Sequence, residues 1–355
     1  MQSIMCVTQA LLSNASQEGV VIDWNDVAGR IALSIFCMSS LSLQTKILRS
    51  DTACLMESDT LRNALITLNS ISSRRLMNPF WALTEKVTGT ERRFKRARSE
   101  IRAIVHDIVI DRQTRHRLGD SPSDYLDELL KNPDYSDPTL IRDTLVTLLF
   151  AGRDNTQNTL AWSMHALLTH EIWIERMRDE AMSLVNDFQT GLPLPYAELS
   201  AYHIHLAVFY ETVRLWPGLP KNGRQALFDD VLPALPHLNF PAVKVHKGDY
   251  IFWSDYYIMR HPQVWGLNAS EFDPGRHLDA SGHFVRPNAP DFIGFGAGPR
   301  LCPAAQLAAY EFVACWSSIL PSFHFKARYT AEPKMMETFT PAIDGPMYVE
   351  VIMQH

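Results

Sequence analysis

Apolar residues recur at three- and four-residue intervals along most of the chain, the spacing that lines one face of an α-helix. The arginine-crowded stretch 91–117 carries Phe94, Ala97, Ile101, Ile104 and Ile108 at this spacing, with Glu100, Asp107 and Asp111 interleaved. It predicts a solvated amphipathic helix and not a polyanion site. A longer helical pattern runs from 137 to 170, with Asp137 placed to cap it and Pro138 at the first helical position. About 32 residues in helical form would span roughly 48 Å. Proline-rich breaks at 132–138, 191–195 and 232–241 punctuate the pattern without separating domains. After the last break, β-branched and aromatic residues over 243–253 predict strands. The pattern predicts a mainly α fold with a minor β portion. One domain spanning 1–355 is expected, its small β segments lying around 220–290 and 320–355.

Composition narrows the function classes. With 355 residues and 46% hydrophobic content, the chain can bury a large core. A net charge of -6 argues against nucleic acid as a partner, since such binders need a basic excess to displace counterions. Five cysteines without a CxxC pair give no disulfide framework and suggest a reducing compartment. No zinc cage, HExxH or Ser-His-Asp pattern competes for attention, and His203 and His205 read as helix decoration. The apolar run 31–43 contains several serines and is far short of the roughly 20 residues of a membrane helix. No anchor or signal peptide is visible.

The segment Phe295-Gly296-Ala297-Gly298-Pro299-Arg300-Leu301-Cys302 stands apart from this background. It sets one cysteine in a glycine-punctuated loop beside an arginine and an aromatic. A thiolate is a soft metal ligand whose charge needs nearby donors or cations. Glycines 296 and 298 allow close backbone approach to a flat ligand, Arg300 offers a cationic fork to an anionic group on it, and Phe295 supplies an apolar wall. Haem meets these demands. Cys6, Cys37, Cys54 and Cys315 lie in apolar, helix-like runs and are expected to be buried structural thiols.

Phe295, Gly298, Arg300 and Cys302 match the cysteine-loop signature of the cytochrome P450 family at the right spacing, so the chain resembles a haem-thiolate monooxygenase of fungal microsomal type. Composition alone would give such a coincidence on the order of once in a thousand chains. One departure is Ala304, where the family has glycine. The resemblance implies the family's fold, a haem b held by the Cys302 thiolate as axial ligand, and Phe295, Gly298 and Arg300 in haem binding. Arg224, in the turn Pro220-Lys221-Asn222-Gly223-Arg224, would be a second propionate anchor; a solvated turn arginine is the competing reading. Glu211 and Arg214 match the family's Glu-x-x-Arg pair, and Arg276 of Phe272-Asp273-Pro274-Gly275-Arg276 would complete a buried structural triad, although Gly275 stands where the family often has glutamate. The alternative is an ordinary surface ion pair.

Inside the long helix, Ala151-Gly152-Arg153-Asp154-Asn155-Thr156 resembles the family's oxygen-groove motif. Asp154, Asn155 and Thr156 would then relay protons. Asn155 stands where the family usually has threonine, and Thr156 is about 100° further round the helix. A glycine there costs roughly 1 kcal/mol against alanine, which either ligand approach or a helix crossing would justify; in the second case Asp154 would be a surface residue.

The order of features from about 23 to 325 parallels the family from its middle helices to the helix after the cysteine loop. The family's N-terminal anchor and early helices have no counterpart, which suggests a truncated, processed or divergent chain. The function implied is oxidation of a hydrophobic small molecule, such as a natural-product intermediate or a fatty-acid-like substrate, with O2 and electrons from NADPH-cytochrome P450 reductase. The location implied is the cytoplasmic side, with an association to the endoplasmic reticulum. Two alternatives stay open: a peroxide-using or rearranging thiolate-haem enzyme, motivated by Asn155, and a non-catalytic remnant, motivated by the short N-terminal part.

Overall fold

Aspartates start several of the helices. Helix α1 (Gln2–Glu18) ends at Gly19, and strand β1 (Ile22–Asp23) leads into α2 (Trp24–Leu41), whose first turn is capped by the Asp23 carboxylate accepting the Asn25 amide. Asp59 caps α3 (Thr60–Met77) in the same way, and α4 (Trp81–Thr88) and α5 (Thr90–Arg117) follow. Asp124 caps α6 (Tyr125–Lys131), and Asp137, with Pro138 after it, starts α7 (Pro138–Thr169) where the sequence pattern places it. Then come α8 (Glu171–Leu184) and α9 (His203–Leu215). Four short strands, β2 (Asn222–Gln225), β3 (Asp230–Leu232), β4 (Val243–Val245) and β5 (Tyr250–Trp253), precede the one-turn helices α10 (Asp255–Ile258) and α11 (Pro262–Trp265). Helix α12 (Ala305–Ile319) and strands β6 (Phe323–Ala327) and β7 (Tyr348–Met353) complete the chain. This computed structural model describes every residue except 121, 185–194, 237–238, 289–290, 337 and 355. The proline-rich break at 191–195 therefore falls largely outside the described residues.

The fold is mainly helical. The residues expected to be strands, 243–253, divide between two antiparallel pairs, β5 with β2 and β4 with β3. A third sheet, in the order β1-β7-β6, ties the ends of the chain together, with Ile22 opposite Val349 and Phe323 opposite Met353. On α5 the buried stripe is Ala97, Ile101, Val105, Val109 and Arg112, so Ile104 and Ile108 flank it half-buried. Arg112 is neutralised at 2.7 Å by Asp124, itself buried.

Helix α7 is the axis of the molecule, in contact with α2, α5, α9 and α12. Gly152 accounts for the crossing with α2. A Cβ there would sit 2.7 Å from the ring of Phe36 on α2, so the glycine admits a neighbouring helix. Around the axis the core is aromatic: Trp24 and Trp316 stack at 5.5 Å, Phe209 and Phe312 approach at 5.2 Å, and the Trp24 indole donates to the Leu160 carbonyl at 3.1 Å. Cys37, Cys54 and Cys315 lie in this interior as expected, and burial pushes the thiols of Cys37 and Cys315 up to about 12. Cys6 does not: α1 turns it outward and it is exposed.

Candidate functional site

The cysteine loop is built on aromatic packing. Phe292 is buried and lies 5.2 Å from Tyr210, and Phe295 stacks 6.0 Å from Phe209, so both rings clamp the loop onto α9. Phe295 thus serves as the loop's foot on the core. The Cys302 amide then donates to the Phe295 carbonyl at 2.8 Å, closing the loop, while Gly296 donates to Ile293 at 2.8 Å and Leu301 to Gly298 at 3.0 Å. Two turns of this tightness need left-handed backbone, which Gly296 and Gly298 supply at φ 72° and 62°. A Cβ on Gly298 would meet nothing within 4 Å, so this side of the loop is open for close approach. Cys302 is left as a free, half-buried thiol at the mouth of α12, with Leu301 and Arg300 exposed beside it. Among the described residues the Arg300 guanidinium has no hydrogen bond or ion pair.

Beneath the loop, α9 carries a hub of charge. Glu211 and Arg214 are both completely buried and joined by two parallel bonds of 2.7 and 2.8 Å. Arg214 also donates to the carbonyls of Met259, Ala269 and Glu271, pinning the segment that leads to the cysteine loop. Arg276 approaches Glu211 at 3.5 Å but commits its terminal nitrogens to the Trp265 and Asn268 carbonyls. The shorter third contact comes from His277, whose Nε2 lies 3.1 Å from the Glu211 carboxylate. The Asp273 amide adds a further bond at 2.8 Å. Burial alone would raise the Glu211 pKa, but Arg214 and His277 outweigh it and hold the carboxyl at about 2.

On α7, the Asp154, Asn155 and Thr156 side chains point three different ways. Asp154 is buried, not on the surface; it takes the Arg153 guanidinium at 2.5 Å and the Asn69 amide of α3 at 2.5 Å. Burial nevertheless raises its pKa. Asn155 donates back to the Ala151 carbonyl at 3.1 Å, and its buried Oδ1 has no partner among the described residues and faces Gly218, where a Cβ would sit 2.7 Å away. Thr156 donates to Glu311 of α12 at 2.9 Å. No acid and alcohol of this motif bond to each other.

Glu311 is the group that sequence reasoning passed over. It is 8% exposed, and burial pushes its carboxyl up to about 7, against the opposing effect of the Thr156 bond. It stands about 10 Å along α12 from Ala304, the residue two after Cys302. The signal was a lone acid in an otherwise apolar helix nine residues after the cysteine. His277 had no signal beyond following Arg276.

Arg224 is exposed, donates to the Gly223 carbonyl at 2.8 Å and lies 5.3 Å over the Trp253 ring. It is oriented by the β2-β5 pair and paired with no acid among the described residues. The two histidines are structural: His203 accepts the Phe284 amide, and His205 is buried at 2.7 Å from Glu180. Among the described residues no group of three or more His, Cys, Asp or Glu could hold a metal ion, and no helix is long and apolar enough to cross a membrane.

The residues present fit a thiolate-ligated haem. Cys302 presents a partly accessible soft sulfur with an open glycine backbone beside it, and the exposed guanidiniums of Arg300 and Arg224 pair with no carboxylate among the described residues.

The family model described as Cytochrome P450 matches residues 1–347. Cytochrome P450 monooxygenase cyp1 of Mycosarcoma maydis is 27% identical over 371 residues, covering 98% of this chain and 56% of that protein. Cytochrome P450 CYP94D109 of Paris polyphylla is 28% identical over 323 residues, covering 88% of this chain and 62% of that protein. Noroxomaritidine synthase of Narcissus aff. pseudonarcissus MK-2014 is 26% identical over 331 residues, covering 89% and 62%. The chain therefore spans less than two thirds of the length of these relatives.

Proposed function

Because the chain belongs to the cytochrome P450 family, we propose that it acts as a haem-thiolate monooxygenase on a hydrophobic small molecule, with Cys302 as the axial ligand. The observation that carries this reading is the loop itself: two left-handed glycines and the Cys302-Phe295 bond present one free sulfur beside an open backbone. A haem bound through a thiolate supplies oxygen activation, because the sulfur donates electron density that favours O-O cleavage. Arg300 and Arg224 would offer their guanidiniums to the group's anionic edge. Glu211 and Arg214, with His277 and Arg276, would keep the loop in register, a structural role. Glu311 would hold an exchangeable proton near neutral pH and Thr156 would fix it toward α7. Electrons would come from NADPH-cytochrome P450 reductase, which places the protein on the cytoplasmic side beside the endoplasmic reticulum. The substrate would be a natural-product intermediate or a fatty-acid-like molecule; the relatives named as monooxygenases support oxidation in general.

One observation favours a second reading, a peroxide-using or rearranging enzyme: Asp154 is tied to Arg153 and Asn69, and Asn155 carries no hydroxyl, so the relay of an acid to an adjacent alcohol is not assembled. Turnover under 18O2 with NADPH and reductase decides between them. One labelled oxygen in the product supports the monooxygenase, whereas turnover with peroxide alone supports the second reading.

A further inference from the structure

The turn that leads to Arg224 is clamped by the residues that follow β5. Ser254 donates its hydroxyl to the Pro220 carbonyl at 3.2 Å, and the Tyr256 amide reaches the same carbonyl at 3.3 Å. Between them stands Asp255, 3% exposed, which accepts from Asn222 Nδ2 at 2.8 Å. The same Asn222 amide donates to the Leu219 carbonyl at 3.2 Å, so it ties the start of the turn to the buried acid. Among the described residues the Asp255 Oδ1 has no hydrogen-bond partner, so the Asn222 amide is what this carboxyl holds.

The β2-β5 ladder carries this hold to Arg224. Asn222 stands opposite Trp253 and Arg224 opposite Ile251, and the two-residue period of a strand puts all four on one face. On that face the Arg224 guanidinium lies 5.3 Å over the Trp253 ring. Asp255 thus acts from both strands: it is bonded to the residue two before Arg224, and it follows by two the ring on which Arg224 rests. Burial pushes the Asp255 carboxyl up to about 6, against the opposing effects of the Trp253 and Asn222 side chains. Arg224 has little else to direct it, since it donates to the adjacent Gly223 carbonyl at 2.8 Å and pairs with no acid among the described residues.

We propose that Asp255 is a positioning residue for Arg224: by holding Asn222 it fixes the turn and the Trp253 platform, and so aims the guanidinium at the anionic edge of haem. The proposal rests on the reading of Arg224 as an anchor of that edge and names the side chain that directs it. Without the clamp Arg224 keeps its charge and loses its direction, and a guanidinium fork discriminates by direction as well as by charge.

The test compares binding of haem with binding of its dimethyl ester, whose edge carries no charge, by absorbance titration of the purified chain. The wild type is expected to prefer haem about 10-fold, the effect of charge-assisted bonds to the edge. Arg224→Gln should cut that preference about 5-fold, and Asp255→Ala and Asn222→Ala about 3-fold each, with affinity for the ester unchanged. Asp255→Asn, which keeps an oxygen for the Asn222 amide, should restore most of the loss. In the Arg224→Gln background neither alanine change should have a further effect, because the residue they aim is gone. Circular dichroism and the ester affinity show that the variants fold. An equal loss for haem and ester in the Asp255 and Asn222 variants, an untouched preference, or a loss that persists in Arg224→Gln overturns the proposal and leaves Arg224 as an anchor. A preference that Arg224→Gln does not move removes the anchor reading and the proposal with it, and a wild type that takes up neither compound sinks the monooxygenase reading and the proposal together.

Discussion

Two glutamates, Glu211 on α9 and Glu311 on α12, are both buried, yet one carboxyl is held at about 2 and the other pushed to about 7. The difference lies in their partners. Glu211 accepts from Arg214, His277 and the Asp273 amide, so every lone pair has a donor and the charge is favoured. Glu311 has one hydroxyl, Thr156, for the same desolvation. The Glu211 carboxylate is saturated, although the Arg276 Nε beside it has no hydrogen-bond partner among the described residues. Where α7 meets α12, Glu311 has that single donor, and the nearby Asn155 Oδ1 has none among the described residues. The two carboxyls are separated by how completely each is satisfied.

The largest effect should come from breaking the saturated side. Glu211→Ala or Arg214→Ala leaves a buried charge without its partner and should cost about 3 to 5 kcal/mol in urea unfolding, with haem uptake lost. A loss under 1 kcal/mol would show that the hub is not the anchor of the loop. Next comes the pH response of the other side. Because the folded pKa of Glu311 lies near 7 and its unfolded value near 4.5, the folded chain keeps a proton that the unfolded chain has released between these values. Its contribution to stability is full below pH 4.5 and falls by about 3 kcal/mol as pH rises to 7. Subtracting the Glu311→Gln curve from that of the wild type isolates this slope; identical curves would mean that folding leaves the Glu311 pKa unshifted. Glu211 has the opposite sign, its contribution present above pH 4.5 and lost toward pH 2.

Smaller effects sharpen the contrast. His277→Phe removes one donor from Glu211 and should cost about 1 to 3 kcal/mol, more than Arg276→Met, since His277 is the nearer partner. The reverse order in thermal melts would restore Arg276 as the third member. Gly152→Ala should lose about 1 kcal/mol net, because contact with Phe36 outweighs the gain in helix propensity. In a Phe36→Leu background the same change should cost nothing.

What could be read from the residues alone followed from local rules. Asp137 and Pro138 announce α7, and the glycine, arginine and cysteine spacing announces the loop, because caps and left-handed turns depend on few neighbours. The Glu211-Arg214 pair was legible as helix spacing, but its burial was not, since that depends on chain 45 or more residues away. His277 escaped for the same reason. For Gly152 a ligand approach and a helix crossing were both open, and the Phe36 contact that supports the crossing comes from another helix far back in the chain. Asp154 was open to a relay or to the surface; its burial was not legible because Asn69 lies on another helix, whereas its partner Arg153 is the adjacent residue. Cys6 sits in an apolar run, yet the face it occupies on α1 is the outer one.

The central claim is that the sulfur of Cys302 is a thiolate ligand to haem iron. The most direct measurement is the carbon monoxide difference spectrum of the reduced protein beside that of Cys302→Ser. The account predicts a thiolate-type Soret band in the wild type that is absent from the variant; the same band in both proteins, or haem bound without it in the wild type, would contradict the assignment.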